Sequence, residues 1–136
     1  MNIPTGYNKA DMLARKTMLV NELQKFNNQQ YYCPALNKKV WVDIHSIDET
    51  AHNASKNFYS TIIALQLPNV IANAKWLVNK NNPRSNTQIN TFHFKKIFIL
   101  YSDMGNYGIA KLVIGKNKKG GYVEYSITEL NIFTAH

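Results

Sequence analysis

Glu49, His52 and Lys56 stand three and four residues apart within Ile44-His45-Ser46-Ile47-Asp48-Glu49-Thr50-Ala51-His52-Asn53-Ala54-Ser55-Lys56-Asn57-Phe58. On a helix this spacing aligns a carboxylate, an imidazole and an ammonium along one stripe. Those groups can remove a proton, return one and hold an anionic oxygen without a metal. An imidazole with a pKa near ~6.5 serves in either direction at neutral pH. A separate stripe of Ala51, Ala54, Phe58, Ile62 and Leu65 predicts the side of the helix that faces a core. A plain solvated helix carries the same groups, because acids are favoured in a first turn. Glu49 and Lys56 are seven apart, which is not an ordinary ion-pair spacing.

The elements that must position these groups follow from the rest of the chain. Residues 1–7, with Pro4 and Gly6, read as an arm. Residues 8–27 read as a helix capped by Asn8 and ended by Asn27-Asn28-Gln29-Gln30. Val40, Val42 and Ile44 alternate with Lys39, Trp41 and Asp43, which predicts a strand. Ser46 or Asp48 then caps the helix of Glu49, which runs to Leu67-Pro68. Pro68 suits the first turn of a further helix bearing Val70, Ile71, Ala74, Leu77 and Val78. Residues 79–91 read as a polar loop with Lys80 and Arg84. Strands are predicted over Phe92–Tyr101, Tyr107–Ile114 and Tyr122–Thr128, joined by a turn at 102–106 and a hairpin loop at 115–121. Alternation puts Val123, Tyr125 and Ile127 on one face of the last strand, and Tyr122, Glu124, Ser126 and Thr128 on the other. The expected fold is α+β: an N-terminal helix, then strand-helix-helix packed on a small C-terminal antiparallel sheet. The expected division is an arm and helix over residues 1–30 and a compact domain over 31–136.

With 136 residues, 45% of them hydrophobic, the chain can build one core. Its net charge of +8 is uneven: residues 1–68 carry seven basic and five acidic side chains, residues 69–136 nine and three. A basic C-terminal half favours an anionic partner, of which nucleic acid is the commonest. Lys116, Lys118, Lys119 and Arg84 are the candidate phosphate contacts. Tyr31, Tyr32, Trp41, Trp76 and Tyr107 are candidates for base stacking or for the core. Lys95-Lys96 reads as protection of a sheet edge. Cys33 is the single cysteine, and no Cys/His cluster has zinc spacing, so neither a metal nor another cofactor is expected. No apolar run reaches membrane-spanning length, and a reducing, cytoplasmic setting is the simplest reading.

Several stretches resemble a nuclease superfamily of phage and mobile-element polyproteins, the domains likened to barnase, EndoU, colicin-type toxins and RelE, together with the large polyvalent protein-associated domains beside them. The matching residues are Val42-Asp43-Ile44-His45-Ser46-Ile47-Asp48-Glu49-Thr50, Ser55-Lys56-Asn57, Val70-Ile71-Ala72-Asn73-Ala74 and Gly121-Tyr122-Val123-Glu124-Tyr125-Ser126-Ile127-Thr128. The resemblance covers residues 38–130 and leaves the N-terminal helix unexplained. It implies metal-independent RNA cleavage, in which a 2′-hydroxyl attacks the adjacent phosphate. Glu49 or His52 would then be the base and the other the acid. Lys56 would hold the phosphate, and Ser126 and Thr128 would hydrogen-bond its oxygens. Arginine, the usual bidentate phosphate ligand, is present only as Arg15 and Arg84.

Three expectations follow. The domain binds RNA and cleaves it through Glu49, His52, Lys56 and Ser126. Alternatively it is a non-enzymatic binding module, such as a phage-encoded inhibitor of a host defence nucleoprotein complex. Or residues 8–27 mediate a dimer. Convergence of Glu49, His52 and Lys56 on a cleft with the last strand favours the first. Exposure of Met12, Leu19 and Leu23 favours a protein partner or a dimer.

Overall fold

The computed structural model describes residues 2–77 and 94–130. Helix α1 spans Lys9–Leu23, and Asn8 caps it by accepting from the Asp11 amide at 2.8 Å. Arg15, Leu19 and Leu23, four residues apart, form its buried stripe. A 3-10 turn over Gln24–Phe26 closes the helix short of the predicted end. Asn28 then takes a left-handed conformation at φ 62°, which asparagine tolerates better than most residues. The chain reverses there, so Gln29 and Gln30 open strand β1, Gln29–Cys33, rather than end a helix. β1 pairs antiparallel with β2, Lys38–Val42.

Helix α2 spans Ile44–Ala54, and its cap is Asp43, upstream of the predicted Ser46 or Asp48. Asp43 Oδ1 accepts from the Ser46 amide at 2.9 Å, and Ser46 Oγ accepts from the Asp43 amide at 2.8 Å. This reciprocal box makes Ile44 helical rather than the end of a strand. The helix stops at Ser55, and Asn57 caps a new one, α3, Phe58–Leu65. The Ser60 and Thr61 hydroxyls donate to the Ala54 carbonyl, which has lost its helical partner. The break rotates the apolar side. Ile63 and Ala64 are buried, while Phe58, Ile62 and Leu65 of the predicted stripe are half-buried. α4, Leu67–Ala72, starts with Pro68 in its first turn as expected. It ends before the predicted Leu77, and Lys75–Trp76 forms β3.

The remaining strands are β4, Phe94–Asp103, β5, Ile109–Asn117, and β6, Tyr122–Glu129. The architecture is α+β, with a six-stranded sheet in the order β1-β2-β6-β5-β4-β3. The predicted antiparallel meander is its C-terminal part. The sheet is widened by the parallel pairing of β2 with β6 through Val40↔Tyr122 and Trp41↔Val123. The helices cover one face, and Leu19 and Leu23 of α1 share one core with Val42, Ile47, Leu112 and Ile127. Cys33 is free and buried, and burial raises its thiol pKa.

A bulge in β6 decides where the predicted site residues go. Val113 pairs with Ser126 and Ile114 with Glu124, so Tyr125 is the extra residue. Glu124 therefore shares the helix-covered face of Ile114, while Ser126 and Thr128 share the opposite face with Val113 and Lys111. The single face predicted for Tyr122, Glu124, Ser126 and Thr128 is split at this point, because strict alternation fails across a bulge.

Candidate functional site

α2 presents Glu49, His52 and Lys56 to different surroundings. Glu49 is half-buried, hydrogen-bonded to the Tyr125 phenol, and accepts a long contact from Asn53 Nδ2 at 3.4 Å. Burial, and then the neighbouring Glu49 carboxylate, hold the Tyr125 phenol above its ordinary pKa. His52 and Lys56 are exposed and line a groove of about 400 Å³ with Lys9, Met12, Leu13, Lys16 and Ser55. Neither Glu49 nor Ser126 lines that groove. Ser126 is 7% exposed on the sheet face away from the helices, and Thr128 is half-buried on the same face. The structure thus brings His52 and Lys56 together and leaves Glu49 and Ser126 in two other places. His45 is exposed in the first turn of α2, and His93 and Arg84 lie outside the described residues.

The strongest perturbation falls on a carboxyl group that strict alternation groups with Ser126 and Thr128. Glu124 is fully buried beneath α2, and Thr50 Oγ1 donates to its Oε2 at 2.6 Å. Burial drives its pKa up to about 8, opposed by the Thr50 hydrogen bond and reinforced by the Asp43 charge. At neutral pH it is mainly a neutral acid joining α2 to β6. Arg15 is a second buried group with a structural task. Its Nε donates to the Ser55 carbonyl, and its Nη1 to the Pro4 and Gly6 carbonyls, each at 2.8 Å. It fastens the N-terminal arm to the C-terminal end of α2, where the helix dipole favours a cation.

Sheet register gathers the lysines. The hairpin loop between β5 and β6 carries Lys118 and Lys119, with Lys116 at the end of β5. Asn117 Oδ1 holds this loop by accepting from the Lys119 and Gly121 amides at 3.1 and 2.9 Å. The parallel register of β2 brings Lys38 and Lys39 alongside that loop, and β4 brings Lys95 and Lys96 through Lys96↔Lys116. Seven lysines therefore share one end of the sheet, across four neighbouring strands. At about 4.8 Å per strand their span is roughly 14 Å. None makes an ion pair among the described residues. Among the described residues, the buried Glu124 is the only acid of the strands near that end; Asp43 lies at mid-sheet, level with Tyr125, and Asp103 and Glu129 mark the opposite end.

Two aromatic rings stand beside these charges. Tyr32 pairs with Lys39, and Trp41 follows two residues on, so all three face outward from the β1–β2 hairpin. Tyr32 is 51% and Trp41 42% exposed. The other rings have structural contacts or lie elsewhere. Tyr31 packs against the core, Trp76 Nε1 donates to the Ala35 carbonyl at 3.1 Å, and Tyr107 lies at the far end of the sheet. Sequence reading selected Lys116, Lys118 and Lys119, but the lysines of β2 and β4 join them only through strand pairing.

The family model described as Large polyvalent protein-associated domain 3 matches residues 10–122. The chain belongs to this family. Of the two groups that residues 38–130 resemble, this is the second, and the match takes in nearly all of α1 as well. No curated protein and no solved structure gives a significant match. Among the described residues no three His, Cys, Asp or Glu side chains are grouped as metal ligands, and no helix is long and apolar enough to cross a membrane.

Proposed function

We propose that this large polyvalent protein-associated domain is a non-catalytic module that binds single-stranded RNA on the lysine-bearing end of its sheet. The carrying observation is the set Lys38, Lys39, Lys95, Lys96, Lys116, Lys118 and Lys119, none of them in an ion pair among the described residues, flanked by Tyr32 and Trp41. Ammonium groups that neutralise phosphates release counterions, and an exposed ring stacks on an unpaired base. Duplex RNA offers phosphates but keeps its bases stacked, so the rings favour single strands. Cleavage would require the base, the acid and the cation to meet at one phosphate. The separate surroundings of Glu49, His52 and Ser126 favour binding over cleavage. A family named for its association with large polyvalent proteins suits a module that holds RNA beside other activities, in a phage or mobile-element setting.

The test is fluorescence anisotropy of an end-labelled single-stranded RNA in excess EDTA, with the RNA examined on a gel afterwards. The expected outcome is salt-sensitive binding of intact RNA, weakened about tenfold in Trp41→Ala. RNA shortened by the wild type but not by His52→Ala would replace this reading with cleavage. Absence of binding at low salt would end it.

A further inference from the structure

The groove between α1 and the end of α2 is a separate surface with a different chemistry. Lys9, Met12, Leu13 and Lys16 fall at i, i+3, i+4 and i+7, so they form one stripe of α1. Two lysines bracket two aliphatic side chains over roughly two turns, about 10 Å of helix. Lys56 and His52 close the other side. Leu13 is 65% exposed, although Leu19 and Leu23 of the same helix are fully buried. α1 is thus scaffold at its C-terminal half and open at its N-terminal half. Lys9, Lys16 and Lys56 make no ion pair among the described residues. Asp11 is occupied in accepting from the Gly6 amide at 2.9 Å.

We propose that this groove docks an acidic, amphipathic helical segment of a protein partner. Apolar side chains of the segment would cover Met12 and Leu13, while its carboxylates reach Lys9, Lys16 and Lys56. Charge complementarity selects this occupant. A second copy would bring the same three lysines and a net charge of +8 against its like. RNA would find phosphate partners but no Phe, Tyr or Trp ring, only the His52 imidazole, while the floor of the groove is the aliphatic pair Met12 and Leu13. The surface is independent of the RNA-binding end of the sheet, so the domain would bridge an RNA and an acidic protein.

The experiment is selection of a random sixteen-residue peptide display library on the full chain and, in parallel, on Leu13→Asp. The best peptide is then titrated into isotopically labelled protein and followed by NMR. Leu13 is solvent-exposed, so its replacement leaves the core intact; an unchanged amide spectrum away from α1 verifies this. The expected result is enrichment, on the wild type alone, of peptides with Asp or Glu around apolar residues at helical spacing. Their shifts should centre on residues 9–16 and 52–56, and Leu13→Asp should weaken binding about tenfold or more. Equal enrichment on both proteins would overturn the proposal, as would selection of neutral or basic peptides, or shifts confined to the lysine end of the sheet. Single-stranded RNA or anionic phosphatidylserine vesicles shifting the same α1 residues would reassign the groove to that ligand. Concentration-dependent shifts there in the protein alone would reassign it to self-association.

Discussion

The Glu124 carboxyl is held neutral beneath a helix, and this has a calculable consequence at the residue scale. Its folded pKa of about 8 lies above the ordinary value of 4.5. Below the lower value the group is neutral in both states. Between the two, the unfolded chain alone releases the proton, so stability falls as pH rises; above the higher value both states are ionised and the fall ends. The slope from this one group approaches ~1.4 kcal/mol per pH unit. Glu124→Gln keeps an acceptor for Thr50 without the ionisation. Denaturant unfolding from pH 5 to 8 should show the wild type losing stability relative to Glu124→Gln as pH rises. Parallel curves would mean that Glu124 ionises freely inside the fold. Arg15 is a buried cation held through Nε and Nη1 by three carbonyls rather than by an acid, while its Nη2 is left without a partner among the described residues. One of the chain's two arginines is thereby committed to the fold and is not available as a phosphate ligand.

At the scale of elements, short polar contacts decide where helices and strands begin. The Asp43–Ser46 box and the Asn57 cap set the starts of α2 and α3, and the second interrupts an apolar periodicity that reads as continuous in the sequence. Gly115 plays a corresponding part in β5. Phe94 lays its ring over this residue, so close that an added Cβ would fall 2.2 Å from the ring, and the same ring meets Tyr125 edge-on at 5.9 Å. Gly115→Ala should displace Phe94 and destabilise the domain by about 1–3 kcal/mol. Replacing Phe94 with Leu at the same time should recover part of that loss, and equal stability of Gly115→Ala and wild type would contradict the packing account. Elements with strong periodicity or punctuation were legible: α1, β2, the Pro68 helix start, and the three C-terminal strands. β1 was missed because its Gln29-Gln30 start has no apolar alternation, and β3 because two residues carry no pattern. The face of Glu124 was misread because a β-bulge leaves no mark in composition. The candidate site was legible as residue types. Its arrangement depends on contacts between α1 and α2 and on the parallel β2–β6 pairing, which bring together positions far apart in sequence.

For the whole molecule, charge is distributed along the strands. Lysines collect at the end that holds the β1–β2 and β5–β6 hairpins, and Asp103 and Glu129 lie at the other. Such an asymmetry orients an approaching polyanion as well as holding it. The groove lysines of α1 add a second cationic region built around aliphatic side chains. Salt dependence distinguishes a defined contact surface from general attraction to a protein of charge +8. The most direct measurement is the affinity for one single-stranded RNA across a series of salt concentrations. It compares the wild type, Lys38/Lys39/Lys118/Lys119→Gln, and Lys9/Lys16/Lys56→Gln. With a slope near 0.7 per phosphate contact on single strands, loss of the four sheet-end lysines should flatten log K against log salt by roughly 3, and the groove variant should retain the wild-type slope. Equal slopes in the wild type and the sheet-end variant, or an equal loss in the groove variant, would contradict the assignment of RNA binding to this end of the sheet.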